Sequence, residues 1–489
     1  MHNNIVALGV IFLFLGLVVQ PSIVIFNKNF LVKGEIQVNH VLDFDPLVDI
    51  VLAFEIITIR GFEETNNANN PNFSIVLSIN DQQFFSPVWA DSRYLYNINW
   101  TASKNVPDDI AEVNIEIQLF DNNISCDIGG SLYNNTAELI YDIRTGHWTG
   151  DDFIGDPSGY GRLNGCDDGS YYQKENDCEI WFDIFQNDYD NDNIPTWAEI
   201  NLYGSDPYTD NSKNDFDKDE IPFYWEHHWN YSPIIYDDHD ILDPESDGLT
   251  NIEEYMTSEW FSDPFRKDLF VELDQMDFGP KGEGFKVPNS TKDLLADRYN
   301  PRNIVYHFDN GCMGGGEIIP FDYLSWRNEI LDIYKRYFLH NKSDNWRRGV
   351  FRYAVFVHDN FRASAYAFVG EGRLINSNIR GINSFQISTT SLERVVKKKN
   401  QPLDFVCACY IMHETGHTLG IDIFNPFGCD NIRTQYPWQL FYWIFGNYKS
   451  VMNYRYVNQI LDYSDGTHGW FDHDDWSNLD FNWFQLPEK

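Results

Sequence analysis

Positive charge is scarce in this chain: 35 Lys and Arg stand against 74 Asp and Glu, a formal net charge of −39. A surface of that sign repels nucleic acid and anionic membranes, so no nucleic-acid partner is expected. Long apolar runs are scarce as well. Residues 5–19, IVALGVIFLFLGLVV, carry no charge, and no other segment is long and apolar enough to span a bilayer. The glycine-rich stretch Gly311–Gly316, GCMGGG, lacks the following Lys-Ser/Thr of a phosphate loop, which excludes nucleotide binding there. Cysteine is limited to seven, an odd number, so an exported chain would keep one thiol out of any set of disulfides. Disorder is excluded in turn: 43% hydrophobic and 16% aromatic residues are enough to build cores, and 489 residues suffice for about two to four domains.

The N-terminal apolar run resumes to Phe26, so residues 1–26 are expected to be a signal peptide or an uncleaved anchor. Either way the rest is expected to be secreted or at the cell surface, with that segment as the possible membrane attachment. Sequons at Asn72, Asn99, Asn123, Asn134, Asn230, Asn289 and Asn341 agree with export. Cys166 and Cys178 are close enough in sequence to pair across a loop, and Cys312 and Cys429 could staple the C-terminal part. Cys407 and Cys409 suit small buried hydrophobes.

The chain is organised around Pro402–Asp422, PLDFVCACYIMHETGHTLGID. Pro402 suits a first helical position, Asp404 the positive end of the helix dipole, and Gly420 a left-handed stop. On such a helix His413 and His417 project from one face, one turn apart, and can bind one zinc ion. Glu414 is then placed to take a proton from a water at the metal. The competing reading is a helix whose histidines are ordinary core groups.

Ser450-Val451-Met452-Asn453-Tyr454 follows downstream. Together, HETGHTLG and SVMNY resemble the metzincin clan of zinc metallopeptidases, the second stretch standing for the Met-turn. The resemblance implies a zincin-like α+β catalytic domain over residues 265–489, with a twisted mixed sheet, the active-site helix and a C-terminal helix. It implies that Met452 forms an apolar floor and that Tyr454 hydrogen-bonds the tetrahedral intermediate. The clan places its third ligand six residues after the second histidine, where this chain has Ile423. Asp422, Asp430 and His473 remain as candidates. Within this domain KDLFVELDQM, NIVYHFD and FRYAVFVHD read as strands and STKDLLADRY as a helix. FDYLSWRNEILDIYKRYFL reads as one long helix, and a final helix is expected from about His473.

Residues 186–264 repeat an acidic pattern. DYDNDNIPTWAE places Asp188, Asp190, Asp192 and Glu199 at loop positions 1, 3, 5 and 12. DFDKDEIPFYWE does so with Asp215, Asp217, Asp219 and Glu226, and DPESDGLTNIEE with Asp243, Glu245, Asp247 and Glu254. Oxygens at these positions converge on calcium as the chain curls, with position 12 on a short helix. Asn193 and Gly248 suit a left-handed position 6, whereas Glu220 strains it. Lacking a long helix before each loop, the repeats resemble thrombospondin type 3 or dockerin-like calcium repeats. Residues 35–185 read as all-β, and their order of elements resembles C2-like sandwiches; Gly146–Phe185 is expected to pack onto that sandwich as a coupling segment. The fold class expected is therefore multidomain: an all-β sandwich, a calcium-loop segment and an α+β zincin-like domain. The function expected is an exported, calcium-stabilised zinc endopeptidase acting on a protein or peptide substrate. The alternative is a non-catalytic calcium-binding surface or adhesion protein with a degenerate peptidase domain.

Overall fold

Alternation decides the first half of the chain. In Phe73–Ile79 and in residues 113–119 of the strand Glu112–Asp121 every second side chain is apolar and buried, which is the pattern of strands with one face on a core. The computed structural model describes residues 50–62, 70–107, 109–130, 135–152, 154, 160–171, 176–326, 329–360, 363–368, 384–421 and 426–483. The segment 1–26 lies outside them.

Two antiparallel sheets bury a shared core. One runs in the order 162–164, 178–186, 51–61, 94–95, with 100–105 also paired to 51–61. The other runs 82–85, 73–79, 112–121, 137–142, 147–150. Phe54, Ile56, Ile180 and Phe182 of the first meet Ile75, Leu77, Ile115 and Ile117 of the second. The expected coupling segment is more than a covering: Cys178–Gln186 pairs with Val51–Gly61 from Leu52 to Gly61, across one register shift, and is a central strand. Its unbroken buried run, CEIWF, explains why.

The third sheet runs 304–309, 267–276, 351–357, 384–388, 365–367. Its pairings are parallel except at 365–367, which runs antiparallel along 384–388. Phe351–Val357 is buried at every position, as a strand covered on both faces must be. Leu269, Val271 and Leu273 join one core, and Phe270, Tyr353 and Val355 join another on the opposite face. Helix Leu403–Thr418 packs into the first of these. Its residues Val406 to Thr418 are buried without a break, so it is enclosed all round rather than striped.

Several local expectations are corrected. Pro402 caps the helix from outside (φ −58°, ψ 147°), and Leu403 is its first residue. The long helix over 321–339 is confined to Ile330–Ile333 and a wider turn through Phe338. Ahead of it, the Ser325 N–H donates to Asp359 O (2.9 Å) and the Trp326 N–H to Glu329 Oε2 (2.8 Å), holding 321–326 as irregular chain beside the sheet. After His473 the described residues hold only a short turn, Trp476–Asn478. Buried Asp475 dictates this by accepting from Tyr448 Oη (2.9 Å) and the Ser464 N–H (3.2 Å), which pins the tail flat against the core. No disulfide links any of the seven cysteines. Cys166 Sγ instead faces Asp177 (3.6 Å), and the side-chain partner of Cys178 is Cys126.

A buried ion network joins the sandwich to the third sheet. Glu179 lies 3.4 Å from Arg60 Nε and 3.1 Å from Arg266 Nη2, and accepts from Asn300 Nδ2 (3.0 Å). Burial would raise its carboxyl, yet Arg266 and Arg60 outweigh that and hold it below the usual carboxylate range. Removing one partner of such a network strands buried charge. Glu179→Ala is expected to lose about 3–5 kcal/mol in denaturant unfolding at neutral pH, more than Glu179→Gln, which keeps the amide acceptor. Equal midpoints for Glu179→Ala and the parent chain would contradict the assignment.

Candidate metal centre and acidic loops

His413, Glu414 and His417 are 3, 4 and 6% exposed on the buried helix. Gly420 ends that helix in the left-handed region (φ 86°), turning the chain so that Ile421 folds back under it. His417 Nδ1 thereby donates to Ile421 O (2.6 Å), and His413 Nδ1 donates to Val451 O (2.8 Å). Each backbone acceptor fixes a tautomer and leaves Nε2 with its lone pair. The two rings stand perpendicular with centroids 5.0 Å apart.

Asp430 completes the set. Its Oδ1 lies 3.0 Å from His413 Nε2 and its Oδ2 3.2 Å from His417 Nε2. The three ligand atoms all lie within 4.8 Å of one another. Asp430 sits in the left-handed region (φ 50°), and its N–H donates to Met452 O (3.2 Å), so the turn at Val451 and Met452 holds the loop as well as the histidine. With both Nδ1–H groups committed to carbonyls, two nitrogen lone pairs face carboxylate lone pairs in a buried site. Only a proton or a cation between them relieves this. The proton affinity is visible: burial opposes charge on His417, but Asp430 outweighs it and pushes the pKa up to about 10. Asp430 itself is driven well below the carboxylate range, the two imidazoles outweighing burial. The donor set, two imidazoles and a carboxylate, is one that fits zinc.

Of the other candidates, Asp422 lies outside the described residues, and His473 stands edge-on to Tyr448 (6.4 Å). Met452 is fully buried, and Tyr454 stacks over His413 with ring centroids 5.9 Å apart. The Tyr454 hydroxyl is pushed up by burial and then by Asp430 and Glu414. Tyr463, which carries no motif, donates to Met412 O (2.6 Å) and packs under the helix. The two carbonyls that orient the histidines were missed in the sequence because any residue type can supply them.

The three acidic loops share one backbone. Positions 4 and 6 are left-handed in each: Asn191 and Asn193, Lys218 and Glu220, Ser246 and Gly248, with φ between 60° and 91°. Glu220 thus adopts at 78° the conformation that suits glycine. The position 6 N–H donates to the position 1 carboxylate at 3.2, 3.2 and 3.1 Å. The position 7 residues Ile194, Ile221 and Leu249 are buried, each in a different core, so the repeats stitch the cores together. Position 5 looks forward: Asp192, Asp219 and Asp247 accept from the N–H groups of Asn211 (3.4 Å), Asp237 (3.4 Å) and Asp268 (2.6 Å). Asp188, Asp190 and Asp192 converge, as do Asp215, Asp217 and Asp219. Glu199, Glu226 and Glu254 at position 12 are fully buried. Both carboxylate oxygens of Asp190, Asp217, Glu226, Glu245 and Glu254 are buried without a hydrogen bond. Orphaned oxygens in such number fit a bound cation.

The close packing under the helix and the crowding of carboxylates can each be tested. A Cβ on Gly416 would meet Met452 Sδ at 2.7 Å and the Tyr463 ring at 3.0 Å. Gly416→Ala should cost about 1–3 kcal/mol in thermal unfolding although alanine is the better helix former; a raised Tm would contradict this packing. In metal-free protein burial, then neighbouring carboxylates, push Glu199 and Glu226 up to about 7 and Asp192 and Asp217 up to about 6. Unfolded carboxyls release their protons near pH ~4, so the stabilisation these protons supply is full below that and is lost as pH rises through about 6–7. Calorimetry in chelator should therefore give a lower Tm at pH 8 than at pH 5, with excess calcium removing the fall; a Tm in chelator that rises over this range would refute it.

No family model matches the chain, and no curated protein matches it. Among solved structures, human GIVD cytosolic phospholipase A2 is similar over 28% of this chain and 17% of its own, at 10% identity and a TM-score of 0.18. A C2 domain of plant Extended Synaptotagmin 1 is similar over 28% of this chain and 94% of its own, at 6% identity and a TM-score of 0.17. Extended-Synaptotagmin 2 is similar over 29% of this chain and 29% of its own, at 14% identity and a TM-score of 0.17. The chain spans a small part of the phospholipase, and that protein's activity does not carry over.

Proposed function

We propose that this chain is an exported, calcium-stabilised, zinc-dependent endopeptidase, with a metzincin-like domain behind a C2-like sandwich and thrombospondin type 3-like loops. The observation that carries the reading is the convergence of His413 Nε2, His417 Nε2 and the Asp430 carboxylate, with both Nδ1 atoms turned to backbone carbonyls. His413, His417 and Asp430 would hold zinc, Asp430 standing in for the ligand that Ile423 cannot supply. When bound, zinc supplies a Lewis acid that polarises the scissile carbonyl and lowers the pKa of water.

The chain's own groups do the rest. Glu414 follows the first ligand and takes a proton from the attacking water, then returns it to the leaving amine. The Tyr454 hydroxyl, kept protonated by burial, donates a hydrogen bond to the oxyanion. Met452 packs below the helix and takes no part in the chemistry. Asp188, Asp190, Asp192 and Glu199, then Asp215, Asp217, Asp219 and Glu226, then Asp243, Glu245, Asp247 and Glu254 hold the loop cations. Trp438, Leu440 and Trp443, between Asp430 and the Met-turn, are more than half exposed, which supports a peptide or protein as the partner. Among the described residues no helix is long and apolar enough to cross a membrane; attachment, on this reading, belongs to the N-terminal apolar segment.

Glu414→Gln tests the proposal. Casein cleavage should fall by about 10²–10⁴-fold while zinc content by elemental analysis is unchanged. Asp430→Ala should lose the zinc as well. A Glu414→Gln variant that cleaves at the parent rate would overturn the mechanism. A purified chain that holds calcium but no zinc and leaves casein intact would favour the non-catalytic calcium-binding surface or adhesion protein.

A further inference from the structure

The second acidic loop differs from the first in what closes it. In the first loop Asn211 reaches back to position 12, its Nδ2 donating to Glu199 Oε1 (3.2 Å), and Ser205 Oγ donates to the same oxygen (3.0 Å). In the second, a histidine from beyond the twelve-residue loop occupies that side. His239 Nε2 lies 3.2 Å from Asp219 Oδ2 and 4.0 Å from Glu226 Oε1. The ligand atoms of Asp219, Glu226 and His239 all fall within 4.8 Å of one another, and all three residues are buried. Asp219 also converges with Asp215 and Asp217, so it is common to both groups.

Two independent observations point to a ligand. Glu226 is fully buried, and neither of its carboxylate oxygens has a hydrogen-bond partner, although it is aimed into this cluster. The second lies behind His239, where Nδ1 is 2.9 Å from Asn251 Nδ2. With the amide that way round, Asn251 donates to Nδ1, Nε2 carries the proton, and the buried Asn251 Oδ1 has no partner. A half-turn of the amide lets Nδ1–H donate to Oδ1 and turns the Nε2 lone pair onto the carboxylates. This is the arrangement by which metal-binding histidines are commonly oriented.

We propose that the second acidic loop is a mixed nitrogen–oxygen metal site, completed by His239 and oriented by Asn251, that takes a divalent cation of the zinc or cobalt type in place of calcium. The proposal rests on reading the acidic loops as cation sites. Calcium takes oxygen ligands, whereas imidazole suits zinc and its transition-metal neighbours. The residues that converge at positions 1, 3 and 5 of the first loop offer oxygen alone. The chain would then carry two zinc-type sites, His413–His417–Asp430 and the second loop, and use calcium in the outer loops.

The test counts metals in the full-length protein after equilibration with both ions, calcium in large excess, followed by gel filtration. The parent should retain about two equivalents of zinc and about two of calcium. His239→Gln should lose one zinc and keep the other. In a His413→Ala/His417→Ala chain the remaining zinc should show imidazole scattering at the zinc X-ray absorption edge. If that double variant does not fold, the comparison of parent with His239→Gln decides. About one zinc and about three calcium ions in the parent would overturn the inference while leaving the calcium loops intact. Unchanged zinc in His239→Gln would overturn it too. A parent with no calcium at all would overturn the loop reading from which the inference starts.

Discussion

Lone pairs that face one another inside a protein need a positive centre between them, and this molecule is built around several such places. At the helix the facing groups are two imidazole nitrogens and the Asp430 carboxylate. In the first two loops they are carboxylates at positions 1, 3 and 5, with Glu226 and His239 added in the second. In water these groups would be solvated separately at little cost. Burial raises their proton affinity and neighbouring carboxylates raise it further, as the upward shifts of Glu199, Glu226 and Glu245 register. The fold holds them together because hydrophobic burial around them is contiguous and their backbones are tied independently.

That tying is the structural work of the third sheet and its helix. Helix Leu403–Thr418 has no solvent face to relax toward over Val406 to Thr418, so its histidines are held from all sides. Below it Met452 and Tyr463 press on Gly416, where a side chain would intrude. The turn at Val451 and Met452 contributes through its backbone: Val451 O orients His413, and Met452 O holds the Asp430 N–H. One turn thus positions two of the three converging groups, and a shift in it would misplace both.

The acidic segment is equally integral to the cores. Its position 7 side chains enter three separate apolar clusters, and Trp225 and Trp229 lie in the sandwich core. The third loop takes the Asp268 N–H on Asp247, and Lys267 Nζ donates to Ser246 O (3.0 Å). Lys267 and Asp268 open the strand whose residues Leu269, Val271 and Leu273 pack with the helix. Charge compensation in the third loop is therefore coupled to the sheet that supports the His413–His417–Asp430 cluster through two contacts and one strand. The Glu179 network supplies a second junction, between sandwich and sheet.

Much of this was legible in the linear chain. The helix at 403–418, the strands at 267–276, 304–309 and 351–357, and the acidic pattern within each twelve-residue loop follow from spacing, because a helical turn, a strand pleat and a curled loop each impose a local repeat. Where expectation and structure part, the deciding contact is distant. Periodicity favoured a long helix at 321–339, but pairing of Ser325 with Asn360 dismantled its first half. A tail helix was displaced by the anchoring of Asp475. Local spacing placed His413, Glu414 and His417 on one helix; it left open which of Asp422, Asp430 and His473 would stand opposite them. Only the tertiary path of the chain, turned at Gly420 and tied to Met452, brought Asp430 there and carried His239 to the second loop. Convergence of side chains from separate segments has no sequence period, since it depends on how elements pack and not on the repeat within any one of them.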